Sequence, residues 1–388
     1  MREIYFDNSS TTRPSEAVLE TVIRTMTEDY GNPSSLHSKG VDAERCLREA
    51  RKKIAATLKA GEKEIIFTSG GTESNNMAIL GAALAGRRRG RRILCTSMEH
   101  PAVSEVCKFL QKEGFETEQI PVDSRGRLDL AALEEMLSGD VIAVSTMYVN
   151  NEIGAVVPVQ EAAELIHAKA PGAIYHVDAI QAYGKYRIYP KQLGIDLLSA
   201  SGHKLHGPKG SGFLYVSKDV RIVPILYGGG QQDGMRSGTE NVPGACGLGV
   251  AAEEAYRNFD EKISHLYRLK EALEEGLARL EDVVLHSPSG REGAPHIVNA
   301  SFLGVGSEVL LHALEDRGIF ISAGSACSTH KRSASPTLTA IAASKDEVTS
   351  SVRFSFCESN TLDEVTTTLA ALEELLPALR RYGPLRRS

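Results

Sequence analysis

The chain is 388 residues long, 42% hydrophobic and 24% charged, the balance of a soluble globular protein with enough length for two hydrophobic cores. A net charge of -6 argues against a dedicated nucleic-acid binder. The start Met1-Arg2-Glu3-Ile4-Tyr5-Phe6-Asp7 meets acid before an apolar signal core is built, and no stretch supplies the roughly 18 uncharged apolar residues that cross a bilayer, so the expectation is a cytoplasmic protein with no membrane contact.

From about residue 41 to 250, apolar runs alternate with helical patterns. The runs are Ile65 to Thr68, Ile93 to Thr96, Val141 to Ser145, Ile174 to Val177, Leu197 to Ala200 and Gly212 to Val216. Such alternation predicts a mostly parallel sheet covered on both faces. After Gly228-Gly229-Gly230 a long helical pattern runs from Glu253 to Leu280. It leads to a second, smaller α/β unit with strands at Ile297 to Phe302, Ile319 to Ile321 and Ser351 to Phe356, and helices at Ser307 to Asp316 and Leu362 to Arg381. Two basic clusters, residues 87–92 and 379–388, read as solvated loop and tail charge.

Asp178 and Lys204 stand just past the ends of two successive predicted strands, and open α/β sheets gather ligands beyond the carboxyl ends of their strands. A carboxylate that keeps a ring nitrogen protonated and a lysine that forms a Schiff base are what pyridoxal phosphate (PLP) requires. Thr68-Ser69-Gly70-Gly71-Thr72-Glu73 follows a strand and opens a helical pattern over Ser74 to Leu84. Its free N–H groups at the positive end of a helix suit a phosphate, although Thr72 as a plain N-cap explains the same turn. Ser201 and His203 flank the lysine as further phosphate donors, and Gly202 would let the backbone approach. His100 follows another strand, where an imidazole can stack on a planar group or move protons. His203-x-x-His206 has metal-ligand spacing, but Gly202, Gly207 and Pro208 break any helix there, and no metal site is expected. Asn151 is placed to hold a carboxylate or a ring hydroxyl, or belongs to an Asn-rich turn.

The six cysteines, Cys46, Cys95, Cys107, Cys246, Cys327 and Cys357, include no Cys-x-x-Cys pair, so neither a disulfide framework nor a zinc site is expected. Cys327 differs from the rest. It lies in Ser322 to His330, small, polar and aperiodic, beside His330, Lys331 and Arg332, a setting that favours a nucleophilic thiolate, although a chance surface cysteine reads the same way. Arg353, a charge inside an apolar strand, either forks onto a substrate carboxylate or pairs with an acidic neighbour.

With these residues in view the chain resembles the cysteine desulfurases, in the NifS and IscS branch of the class V aminotransferases. Its signposts include Tyr5 to Thr12, Gly31 to Ser35, Phe67 to Asn76, Glu99-His100, Val149 to Gly154, His176 to Gln181, Ser201 to Lys204, Arg236 to Thr239 and Gly324 to Cys327. The resemblance implies a fold type I PLP-dependent transferase. Residues 15–255 would form the large PLP-binding domain, and 1–14 with 256–388 the small α/β domain carrying a cysteine loop at 322–336. It implies a homodimer in which Lys204 holds the cofactor, Asp178 faces the ring nitrogen, His100 stacks on the ring and Gln181 lies near the ring hydroxyl. Gly71, Thr72, Ser201 and His203 would hold the phosphate, Thr239 would reach it from the other subunit, and Asn151 with Arg353 would take the carboxylate of L-cysteine.

The implied reaction converts L-cysteine to L-alanine and leaves the sulfur on Cys327 as a persulfide, for iron–sulfur cluster assembly or another thiolation through an acceptor protein such as an iron–sulfur scaffold. The departures are Ser9-Ser10, Gly71 where alanine is frequent, and Cys357 where glycine is usual; none removes a group the chemistry needs. The carboxyl tail is short. The competing expectations are a selenocysteine lyase or class V transaminase, for which Cys327 is dispensable, and a catalytically idle sulfur-relay or scaffold paralogue.

Overall fold

The computed structural model describes residues 3–323 and 335–382. In chain order it runs through β1 (Ile4–Tyr5), α1 (Glu16–Thr27), α2 (Ser38–Leu58), β2 (Ile65–Thr68), α3 (Gly71–Gly86), β3 (Arg92–Thr96), α4 (Pro101–Lys112), β4 (Glu116–Ile120), α5 (Leu130–Met136) and β5 (Val141–Met147). It continues through α6 (Val159–Lys169), β6 (Ile174–Asp178), α7 (Pro190–Leu193), β7 (Leu197–Ser201), β8 (Gly212–Val216), α8 (Val242–Tyr256), α9 (Phe259–Leu277) and β9 (Val283–Leu285). The remaining elements are β10 (Ile297–Phe302), α10 (Ser307–Glu315), β11 (Ile319–Phe320), β12 (Ser322–Ala323), α11 (Pro336–Ala340), α12 (Lys345–Ser350), β13 (Ser351–Ser355) and α13 (Leu362–Tyr382).

Seven strands form the large sheet in the order β2-β8-β7-β6-β5-β3-β4. Pairing is parallel from β4 through β7 and antiparallel on both sides of β8. Successive residues of a strand face opposite sides, and both sides are apolar here. Leu94, Val144, Val177 and Leu198 join a core with α2, α6 and α8, whereas Ile93, Cys95, Ala143 and Leu197 pack with α3 and α4. A continuous apolar run is therefore what such a strand needs.

The smaller sheet has the order β12-β13-β10-β9 and is antiparallel. Phe302, Phe354 and Phe356 pack there with Leu269, Leu273 and Leu372 of α9 and α13. The amino-terminal strand β1 pairs with β11, which carries residues 4–12 across to the mouth of the large sheet.

Two elements depart from the sequence reading. Strand β4, Glu-Thr-Glu-Gln-Ile, has no apolar run, because it is an edge strand with much of its length exposed. The predicted helix from Glu253 to Leu280 is two helices, broken at Asn258 with φ of 53°, a left-handed conformation that a helix cannot propagate.

Candidate active site

The parallel strands β6 and β7 end side by side at Asp178 and Ser201, so residues 23 apart in the chain meet at one sheet edge. A single turn of 3-10 helix, Gly202–Lys204, follows β7 and carries the lysine. Lys204 Nζ donates to the carbonyls of Ser9 at 2.5 Å and Ser10 at 2.7 Å. The segment after β1 thus forms the wall facing the sheet.

Asp178 is 2% exposed. Its Oδ2 accepts from Asn75 Nδ2 at 2.7 Å and its Oδ1 from the Ile180 N–H at 3.0 Å. Burial raises its carboxyl above the ordinary range, opposed by these hydrogen bonds and by the charges of His100 and Lys204. A buried carboxylate between donors and beside a cation is poised to hold a further positive charge.

The glycine turn between β2 and α3 opens beside β7. Gly70, with φ of 148°, precedes the first helical residue, and Gly71, Thr72, Ser201 and His203 line one cavity of about 450 Å³. A helix amino terminus there presents unpaired N–H groups. At Gly71 a Cβ would lie 2.1 Å from Ile180 Cδ1. His203 is neutral because burial, with help from Lys204 and Lys209, pushes its imidazole down to about 4. Its Nδ1 lies 3.3 Å from Thr11 Oγ1.

His100 caps α4, its Nδ1 accepting from the Ala102 N–H at 3.1 Å. That bond assigns the proton of the neutral ring to Nε2. Burial lowers its pKa, partly offset by the charge of Asp178. Gln181, 6% exposed, donates from Nε2 to the Ser9 carbonyl at 3.0 Å, with His296 Nε2 at 3.4 Å from its Oε1.

Arg353, 7% exposed, sits on β13. One guanidinium nitrogen donates to the Asn151 carbonyl at 2.7 Å; the other donates to Asp7 Oδ1 at 2.9 Å and Ser10 Oγ at 2.7 Å. Its Nε is buried without a partner. The acidic neighbour is thus real, and a donor remains.

Other predicted residues stand elsewhere. Gly202 does not line the cavity; its Cβ would fall 2.4 Å from Ser211 Oγ and 2.9 Å from the Pro208 carbonyl, so close packing accounts for the glycine. Thr239 lines a neighbouring cavity of about 170 Å³ with Ser69 and Arg236. Cys327 lies outside the described residues. Ser335, beyond it, donates to Glu152 Oε2 at 2.5 Å, and Asn150 Nδ2 reaches Thr337 Oγ1 at 3.2 Å.

Sequence reasoning gave no role to Asn75, the Ser9 carbonyl, Asp7 or Glu152. For Asn75 a signal existed, since it falls one turn after Gly71 on α3 and so faces the sheet edge. The Ser9 carbonyl had none. Among the described residues no group of three or more His, Cys, Asp and Glu side chains is arranged to hold a metal ion, and no helix is long and apolar enough to cross a membrane.

The model of the aminotransferase class-V family matches residues 4–367. A cysteine desulfurase IscS of Methanosarcina thermophila is 41% identical over 99% of this chain and 94% of its own. Among solved structures, a NifS-like protein superposes with a TM-score of 0.92 at 37% identity, covering 97% of this chain and 100% of that one. SspA in complex with cysteine superposes with a TM-score of 0.79 at 30% identity, covering 92% and 100%.

Proposed function

The chain belongs to the class-V aminotransferase family and is a cysteine desulfurase, and on that premise we propose that it is a PLP enzyme that takes sulfur from L-cysteine onto Cys327 and releases L-alanine. The observation that carries this reading is the meeting of Asp178, Asn75 and Lys204 at the carboxyl ends of β6 and β7, beside a glycine-lined cavity at the start of α3. The donor set fits the cofactor. It offers a buried carboxylate for the ring nitrogen, a lysine amine for the carbonyl, and N–H and hydroxyl groups from Gly71, Thr72, Ser201 and His203 for the phosphate.

Bound there, PLP would supply an electron sink for breaking the Cβ–S bond of the substrate. Asp178, fixed by Asn75 and the Ile180 N–H, would balance the positive ring nitrogen. Lys204 Nζ would anchor the cofactor and, once displaced by substrate, take the α proton. His100 would present Nε2–H, its Nδ1 being engaged by the Ala102 N–H. The neutral His203 would offer the phosphate a hydrogen bond rather than a charge.

Arg353 would bind the substrate carboxylate through its unpartnered Nε, with the Asn151 side chain beside it. Asp7 and Ser10 hold one guanidinium nitrogen and the Asn151 carbonyl the other, so the side chain is oriented before substrate arrives. The Cys327 thiolate would attack the substrate sulfur, forming an S–S bond as the Cβ–S bond breaks. The persulfide would then pass to an acceptor thiol, an iron–sulfur scaffold being the partner this reading favours.

A homodimer completes the proposal, with Thr239 of each subunit serving the other's phosphate. Supporting it, α1 exposes Leu19, Ile23, Met26 and, just beyond, Tyr30, a stripe at helical spacing that a lone chain leaves in water. The large and small units at 15–255 and at 1–14 with 256–388 belong to the same reading, as does a cytoplasmic location.

The test is alanine and sulfide release from L-cysteine with a thiol reductant, wild type against Cys327→Ala. Equimolar products from wild type alone support the proposal. Turnover undiminished in Cys327→Ala would falsify the persulfide step and favour a transaminase.

A further inference from the structure

A second cavity, of about 1000 Å³, adjoins the first across Thr11 and is walled by α8, α9, the turn at Leu205 and His206, and residues 357–360. Two features of its wall are unused by the desulfurase reading. One is Lys185, only 8% exposed. It lines the cavity, and among the described residues its Nζ has no hydrogen-bond or ion-pair partner. Burial pushes its amine down, and the charges of Glu358 and Cys357 offset this only through space, so an anion entering the cavity would gain a direct contact there.

The other is Cys357, 5% exposed on the same wall. Its Sγ lies 3.1 Å from Ser359 Oγ. Burial would raise the thiol, but the neighbouring His206 and Ser359 hold it below the ordinary thiol range. His206 Nε2 is in turn 3.3 Å from Glu358 Oε2, with Lys262 Nζ 3.5 Å from the other carboxylate oxygen. A thiol beside a hydroxyl and an imidazole, facing a cavity that a buried lysine also lines, is a nucleophile with an anion subsite.

We propose that this cavity is a thiol-exchange site for small anionic disulfides, in which Lys185 receives the anionic group and Cys357 forms the mixed disulfide. The Cys357 thiolate attacks one sulfur of the disulfide; the S–S bond breaks, and the other half leaves as a thiolate that takes a proton from solvent. The incoming disulfide is the oxidant, Cys357 is oxidised, and a thiol reductant reverses the step. The site is independent of the PLP reading.

The experiment treats the folded holoenzyme with dithionitrobenzoate, an anionic disulfide, and separately with neutral dithiodipyridine, and follows the Cys357 peptide by mass spectrometry; mapping separates it from the Cys327 adduct. The expected result is a reductant-reversible Cys357 adduct from both reagents. Lys185→Gln should slow the anionic reagent about tenfold and leave the neutral one unchanged, while Lys185→Arg retains the wild-type rate. Should Lys185→Gln not fold, the wild type gives the same information: added salt slows the anionic reagent at Cys357 and spares the neutral one. Labelling of Cys357 only after unfolding, or equal slowing of both reagents, overturns the proposal.

Discussion

Asn75 Nδ2 donates to Asp178 Oδ2 at 2.7 Å, tying the second turn of α3 to the end of β6, and neither side chain sees appreciable solvent. The helix that opens the glycine-lined cavity is thereby locked to the carboxylate that faces it. If Asp178 is the acidic partner of the cofactor, Asn75 governs how firmly that carboxylate is held. A hydrogen bond to a charged group contributes about 1.5–3 kcal/mol. Asn75→Ala should therefore weaken cofactor retention about 10- to 100-fold, and Asn75→Asp, which adds a like charge, should weaken it further. Absorbance of the bound cofactor after dialysis measures this, and retention at the wild-type level in both variants would refute the link.

Arg353→Lys keeps the charge but loses the fork that reaches Asp7, Ser10 and the Asn151 carbonyl together. The expected outcome is a KM for L-cysteine raised by roughly 10- to 100-fold, with kcat changed much less. Steady-state alanine production gives both constants. A kcat loss at unchanged KM would place Arg353 outside substrate binding.

Gly71 and Ile180 are a matched pair, since a Cβ on the first would meet Cδ1 of the second at 2.1 Å. Overpacking of this kind costs about 1–3 kcal/mol, against a helix-propensity gain of about 1 kcal/mol for alanine over glycine. Gly71→Ala alone should lower the unfolding midpoint. Combined with Ile180→Val, which removes the obstructing methyl, it should recover most of the loss. Additivity of the two changes in a double-mutant cycle would show that they do not touch.

The His206, Glu358 and Cys357 cluster gives stability a pH signature. Burial opposes charge on His206, but the neighbouring Cys357 and Glu358 prevail and push its pKa up to about 9 from 6.5. Raised in the folded state, His206 stabilises fully below 6.5, and this contribution is lost as pH rises through about 9. Glu358 is depressed despite burial, through His206, 3.3 Å away, and the charge of Lys185. It stabilises above the ordinary glutamate range and loses this as pH falls toward its lowered value. His206 and Glu358 should together contribute most between about pH 4.3 and 6.5. Cys357, its thiol held low, offsets part of the His206 loss toward the ordinary thiol range, and the alkaline profile of the unfolding midpoint should change in His206→Gln. An identical pH profile for that variant would remove the cluster from the account.

Much of the site was legible before folding was considered. Asp178, Lys204 and the glycine turn each follow an apolar run, and a parallel sheet brings the ends of such runs to one edge whatever the helices between them. Strand β4 was hidden because an edge strand needs no apolar face, and the break at Asn258 because one left-handed residue leaves helical periodicity almost intact. Cys327 stood out in the sequence by its setting, yet lies outside the described residues.

The sequence by itself determined the chemistry available to the proposed site, an amine, a carboxylate and a thiol, and the apolar runs that would present the first two. Local pattern suffices there because period and composition are properties of neighbouring residues. Only the tertiary structure decided which groups share a hydrogen bond. Ser9 offers a backbone carbonyl that Lys204 and Gln181 both use, and Asp7 lies 2.9 Å from a guanidinium 346 positions away. The cavity that Lys185 and Cys357 share likewise draws its walls from residues near both ends of the chain. Such contacts depend on packing across the whole chain, and no local pattern of residues carries them.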